Sequence, residues 1–257
     1  MKNTISPSAV SKITIIGRGN VGSHLEKAFK QKGLKVNTYS SREDLNELEC
    51  TDLIIITVKD DHISSTVNKI VSALSSHEYQ LPVIVHTSGS QEMNVLLPAA
   101  DLGCGIGVLY PLQTFTKGIE MKYGDIPFLI EASDNSTLGK LIEFASLISC
   151  NISKADSSTR AKYHIGAVLT CNFANHLWAL TDEYLRENSL NFDTLLPLLR
   201  QTVSKLLITS PCLAQTGPAV RNDTKIIGKH LEMLSDKPQL AKIYSMLSES
   251  IIKHYNT

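Results

Sequence analysis

The first half of this 257-residue chain alternates short apolar runs with helical repeats, and the second half carries helical repeats alone. That pattern predicts a doubly wound parallel α/β sheet followed by an all-helical C-terminal domain. Three observations carry the prediction. A strand-sized apolar run meets a glycine-rich turn at Gly17, continuous β-branched runs recur at 53–58 and 83–86, and from Thr159 onward nothing reads as a strand.

Ile13, Ile15 and Ile16 form the first run, which ends at Gly17 as a strand buried on both faces would. Val21, Leu25, Ala28 and Phe29 then repeat at helical spacing, and Gly33 is placed to cap that helix. A second strand over 34–39 completes strand, helix and strand in about 30 residues, one βαβ unit. Leu53–Val58 predicts a strand buried on both faces, 65–74 a helix, and Val83–His86 a fourth strand that runs into the turn Thr87-Ser88-Gly89-Ser90. Strands follow at 106–109 and 128–130, then a helix at 138–147. Sheets of this kind bind ligands beyond the carboxyl ends of their strands. One rim should therefore hold Gly17–Gly22, Ser40–Arg42, Val58–Asp61, His86–Ser90 and Tyr110–Gln113.

Past Thr159, Ala161, Ile165, Val168, Leu169, Phe173, Leu177 and Leu180 recur at three and four, which predicts one long helix to about Glu187. Further helices are expected at 192–209, 222–234 and 239–254. The expected division is therefore a sheet domain at 1–152 and a helical domain at 153–257, joined near 151–158.

The charge balance excludes whole classes of partner. Lys plus Arg and Asp plus Glu both number 25, so no global field draws the chain to nucleic acid or an anionic membrane. No apolar run approaches the 18 or so residues of a membrane span, and Met1–Ser11 is polar, without the apolar centre of an export signal. The five cysteines are scattered with no CxxC or CxxH pairing, which fits reduced thiols in the cytoplasm and argues against structural zinc. Asp60-Asp61-His62 has no spaced ligands elsewhere to complete a metal site and reads as a loop and helix cap, so no metal is expected.

The segment Gly17-Arg18-Gly19-Asn20-Val21-Gly22 carries the chemistry of a dinucleotide cradle. Gly17 permits the tight turn, Gly19 lets the backbone approach a pyrophosphate, Gly22 lets helix and strand pack closely, and the free amides at the helix start favour the anion. About 20 residues on, a site for NAD usually presents an acid to the ribose hydroxyls, but here the chain reads Ser40-Ser41-Arg42. Two hydroxyls and a guanidinium suit a 2′-phosphate, which predicts NADP. Glu43-Asp44-Leu45-Asn46 reads as a helix start with acids in its first turn. Val58 and Ser88, on the same rim, complete the expected cofactor contacts.

A glycine-turn α/β half followed directly by a long-helix domain resembles the broad group of 6-phosphogluconate dehydrogenase-like reductases. Pyrroline-5-carboxylate reductase, prephenate dehydrogenase and ketopantoate reductase belong to that group. More closely, the chain is similar to an uncharacterised bacterial family of NADP oxidoreductases with a Rossmann-like N-terminal half and a C-terminal domain of unknown function. The residues that carry the likeness are Gly17–Gly22, Val85-His86-Thr87-Ser88-Gly89, Tyr110-Pro111-Leu112-Gln113-Thr114-Phe115, Arg160-Ala161-Lys162-Tyr163-His164 and Thr216–Asp223. Two departures stand out: family members commonly have His where this chain has Tyr110, and Gly where it has Asn222. The resemblance implies a homodimer in which the long helices of two copies pack together.

A nicotinamide reductase needs a held cofactor, an oriented C=O or C=N, and one proton donor. Arg160, His164, Cys171, Asn172 and Asn175 fall on one side of the expected long helix. His164 is the first candidate donor, because a histidine's ordinary pKa of about 6.5 suits proton transfer near neutrality. Asn172 is placed to hold a substrate oxygen and Arg160 to anchor a carboxylate. Related reductases place a catalytic Lys and Asn on this helix, and Lys162 is a possible stand-in, though the match is not residue for residue. His86 at the end of the fourth strand is an alternative donor, Arg221 a second anion anchor, and Tyr110 and Gln113 line the expected cleft between the domains. Hydrogen bonding across a helical dimer core is the competing use for His164 and the asparagines. The sequence therefore predicts an NADP(H)-dependent oxidoreductase of a small, anionic carbonyl or imine compound, the alternative being a non-catalytic NADP-binding sensor or scaffold.

Overall fold

The computed structural model describes residues 12–45, 48–75 and 80–255, and the polar segment 1–11 lies outside them. The chain divides into two compact units, 1–172 and 173–257. In the first, β1 (Lys12–Ile16), α1 (Asn20–Gln31) and β2 (Lys35–Tyr39) form the leading βαβ unit. They are followed by β3 (Leu53–Ile56), α2 (Ile63–Leu74), β4 (Val83–His86), the short helix α3 (Leu97–Asp101) and β5 (Gly105–Pro111). Then come β6 (Phe128–Ala132), α4 (Asn135–Ser146), β7 (Ile152–Lys154) and α5 (Ser157–Ala167), which runs into a π-helical turn at Val168–Asn172.

The seven strands form one sheet in the order β2-β1-β3-β4-β5-β6-β7. Neighbours from β2 to β5 pair in parallel, with α1, α2 and α3 carrying the chain back before β2, β4 and β5. The central strands β1, β3, β4 and β5 bury both faces. Ile13, Ile15, Ile55 and Val85 pack with Leu25, Ala28 and Phe29 of α1 and with Leu141 and Phe144 of α4. Ile16, Ile54, Ile56 and Ile84 face the other way, onto Ile63, Val67 and Ile70 of α2 and Ala99 of α3. Alternate side chains of one strand thus feed two separate cores, which explains why β3 is apolar at every position.

The parallel pairing expected of the sheet holds from β2 to β5 and ends at its far edge. β6 pairs antiparallel with β5, Pro111 opposite Phe128 and Gly107 opposite Ala132, and β7 runs parallel to β6. The chain between them, residues 112–127, contains no helix and brings β6 back directly against β5. β7 was expected to be part of the joint, and it is the short strand that closes this edge. Asp134 starts α4 three residues earlier than its apolar period indicates, its carboxylate accepting from the Thr137 amide at 2.9 Å. Hydrogen bonds from Thr137 and Ser133 hold that carboxyl down at about 2.

The division between the two compact units falls at Asn172–Phe173. The reason is α5. Its Arg160 and His164 side chains bond back to β6, to β5 and to the segment after β4, so its first turns belong with the sheet. The second unit is all helical: α6 (Phe173–Glu187), α7 (Leu196–Lys205), α8 (Pro211–Ala214), α9 (Thr224–Met233) and α10 (Pro238–Tyr255). Asp223 caps α9 by accepting from the Ile226 amide at 3.2 Å.

Candidate active site

The glycine turn is built as a cradle. Gly17 sits at φ +125°, in the left-handed region that favours glycine, and a Cβ there would meet the Thr57 hydroxyl at 2.5 Å and Thr57 backbone at 2.8 Å. A Cβ on Gly22 would lie 2.2 Å from the Gly17 carbonyl oxygen. Thr57, directly after β3, fixes the turn from behind, its hydroxyl donating to the Gly17 carbonyl at 3.0 Å and its amide to Ile16 at 2.8 Å. Gly19 differs: nothing lies within 4 Å of where its Cβ would be. It is also the N-cap of α1 and supplies no side-chain cap, so no capping side chain takes up the first amides of the helix, beside that open space. Two glycines are needed against the protein itself and the third leaves room for something else. A pyrophosphate fits that arrangement in size, charge and donor supply.

Beside it lies the end of β2. Ser40 to Leu45 make a turn and a bend, not the helix start the sequence suggested, with Asn46 outside the described residues. Glu43 is drawn off to Arg18: Nη1 of Arg18 lies 2.7 Å from one carboxylate oxygen and Nη2 3.4 Å from the other. Nη2 also donates to the Thr38 carbonyl at 3.1 Å. The Ser40 hydroxyl accepts from the Arg42 amide, Lys69 donates to the Ser41 carbonyl, and the Arg42 guanidinium is exposed without a partner among the described residues.

The 112–127 segment is tied to the start of α1. Asn20 donates to the Phe115 carbonyl at 2.9 Å, so its side chain is turned to that segment. His24, buried one turn on, has Nε2 2.9 Å from the Thr116 carbonyl and Nδ1 3.1 Å from the Tyr123 hydroxyl. Neither His24 nor Thr57 was picked out from the sequence, although His24 sits one helical turn past Asn20 on the same face.

Along the rim, Tyr110 and His164 meet. The Tyr110 hydroxyl lies 3.0 Å from His164 Nδ1, with the rings edge to face at 6.0 Å. Gly89, at the turn after β4, floors the pair; a Cβ there would stand 2.6 Å from His164 Nδ1 and 2.9 Å from the Tyr110 ring. Burial pushes the Tyr110 hydroxyl above the usual phenol value, with the charge of Arg160 pulling the other way. The phenol is therefore protonated at neutral pH.

Two expected site residues turn out to be internal. Arg160 was expected to anchor substrate, but it is 1% exposed. It is ion-paired with Glu131 of β6 and donates to the Gln91 carbonyl at 2.6 Å and the Ser157 hydroxyl at 3.1 Å. It fastens α5 to the sheet, and its one unpartnered donor, Nε, is buried away from solvent. His86 was an alternative proton donor, but it is fully buried, with Nδ1 accepting from the Ser88 amide and Nε2 facing the Glu92 carbonyl. Burial first, and the charge of Arg160 second, push its pKa down to about 4. An unfolded histidine takes up its proton near 6.5, so the stability His86 contributes is intact above that pH and lost as pH falls through about 4.

The Ser88 hydroxyl, expected on the cofactor, accepts from the amides of Ser90 and Gln91 at 3.1 and 3.0 Å and shapes the turn instead. Lys162 is exposed two residues from His164, hence on a different face of α5. Asn172 is exposed in the π-helical turn, Gln113 exposed beyond β5, Val58 half-buried on the rim, and Arg221 exposed in the second unit.

Comparison with known proteins places this architecture. A family model described as a domain of unknown function (DUF2520) matches residues 126–251. The solved structure of a "putative NADP oxidoreductase" from Bacteroides fragilis is 36% identical, with a TM-score of 0.85 over 95% of this chain and 98% of its own. The chain belongs to this family. An imine reductase from Myxococcus stipitatus in complex with NADP+ is 13% identical, with a TM-score of 0.61 over 96% of this chain and all of its own. A pyrroline carboxylate reductase from Plasmodium falciparum with NADP bound is 17% identical, with a TM-score of 0.54 over 95% and 97%. These two share the fold. No curated protein sequence matches the chain. Among the described residues no helix is long and apolar enough to cross a membrane.

Proposed function

We propose that the chain is an NADP(H)-dependent oxidoreductase acting on a small carbonyl or imine compound, with Tyr110 and His164 handling the proton. The observation that carries it is the convergence of two features on one rim: a glycine cradle open at Gly19, and a buried phenol hydrogen-bonded to a half-buried imidazole 3.0 Å away. In this assignment Gly17–Gly22 takes the pyrophosphate, and Ser40, Ser41, Arg42 and Arg18 surround the adenosine end. A bound nicotinamide would supply or accept the hydride.

The protein's own part is then to move one proton. The Tyr110 hydroxyl donates to a substrate oxygen or nitrogen and is recharged through His164 Nδ1, or the imidazolium donates and the phenol holds it in place. The buried position of Tyr110 keeps water from competing for its proton. With Arg160 enclosed against Glu131, the expected requirement for an anionic substrate loses its first support, so the substrate class is drawn here from the proton-handling pair alone. The family relationship at 36% identity supports the oxidoreductase assignment. Titration with NADPH and NADH, followed by nucleotide fluorescence, tests it: saturable binding with NADPH preferred is expected, and binding of neither would overturn it.

The helical unit supports a second copy as partner. Among its described residues only Ala219, Leu234 and Ser248 are buried, while Leu207, Ile208 and Leu213 are 80–86% exposed. Apolar surface on that scale calls for cover. Light scattering is expected to give twice the chain mass, and Ile208→Asp to shift it toward the monomer; a wild-type monomer at micromolar concentration would refute the dimer.

A further inference from the structure

At the end of β2, Arg18 and Lys69 both bond to the 38–43 segment, which itself carries the exposed Arg42, and the Glu43 carboxylate there is paired with Arg18. Glu43 engages Arg18 through both carboxylate oxygens, and the two side chains are 40% and 57% exposed. An ion pair in that much water is weak, so a stronger anion can take the guanidinium from it. A phosphate dianion with planar bidentate geometry is such an anion. Arg18 is also held at the second position of the glycine turn by its bond to the Thr38 carbonyl, so it stays at the site whichever anion it carries.

We infer that Glu43 is the residue that sets the preference between the two nicotinamide dinucleotides, by acting as a counter-charge on Arg18. A 2′-phosphate arriving beside Ser40–Arg42 must displace Glu43 from Arg18 and lie near a carboxylate of its own sign. Free ribose hydroxyls carry no charge and do not compete for Arg18. Glu43 thus restrains NADPH binding and leaves NADH binding almost untouched. The sequence alone suggests a helix-start acid at this position, and the bidentate pair across 25 residues gives it another role.

The inference rests on the cofactor assignment above, and the test separates the two. Dissociation constants for NADPH and NADH are measured by fluorescence titration on wild type, Glu43→Gln, Arg18→Ala and the double variant. Glu43→Gln keeps the side-chain volume and is expected to tighten NADPH about three- to tenfold, with NADH changed less than about twofold. Arg18→Ala is expected to weaken NADPH selectively, and in that background the gain from Glu43→Gln should shrink. NADPH binding equal to or weaker than wild type in Glu43→Gln overturns the inference while the cofactor assignment stands. Wild-type protein that binds neither nucleotide overturns the cofactor assignment first, and the inference with it.

Discussion

Replacing Arg160 by alanine is expected to cost about 3–5 kcal/mol of folding stability, the usual penalty for breaking one side of a buried ion pair. The guanidinium is 1% exposed and binds Glu131, the Gln91 carbonyl and the Ser157 hydroxyl together. Its removal leaves the Glu131 carboxylate, whose side chain is only 18% exposed, with the Ser157 hydroxyl at 2.9 Å as its hydrogen bond and a cavity beside it. Urea unfolding of the variant should show the loss as a lower midpoint. The double variant Arg160→Met with Glu131→Leu removes both charges and keeps the volume, so it should recover most of the stability. A single variant within about 1 kcal/mol of wild type would show that α5 is held to the sheet by something other than this pair.

His164→Ala is expected to lower kcat by about 10²–10⁴-fold, the range for losing a positioned acid or base, while NADPH affinity stays near wild type. The imidazole touches the Tyr110 hydroxyl on the strand rim and none of the glycine cradle, so the effect should fall on turnover rather than on nucleotide binding. Tyr110→Phe removes the other half of the pair. If the two work as a unit, the double variant should be no slower than the worse single one. Steady-state NADPH oxidation with cyclic imines and 2-oxo acids measures all three. A His164→Ala enzyme with full kcat would remove the pair from the chemistry and return His164 to a packing role.

The leading βαβ unit could be read directly because its signals are local: an apolar run, a glycine turn and a helical period, all within about 30 residues. Strand direction is not written in any period. β6 reads as a strand from Phe128-Leu129-Ile130, but its antiparallel course is set by the path of 112–127, which no local period records. The same distinction separates the site residues. A guanidinium on a helix reads as a surface or ligand-facing charge, and nothing near Arg160 announces that Glu131, 29 residues away, will enclose it. Glu43 reads as an acid at a helix start because its partner is 25 residues back. Tyr110 and His164 were each singled out by chemistry and motif, but their meeting across 54 residues is a product of the fold. Residue type and spacing identified the rim, and burial decided which of its side chains face inward.

The central claim is that this rim holds a 2′-phosphorylated nicotinamide dinucleotide, and the most direct test is NADPH titration of wild type beside Arg42→Ala. Arg42 is exposed, so its removal should leave the fold intact. NADPH is expected to bind wild type saturably and to weaken at least tenfold in the variant, with NADH binding changed little. Equal binding of NADPH by both proteins, or binding by neither, would contradict it.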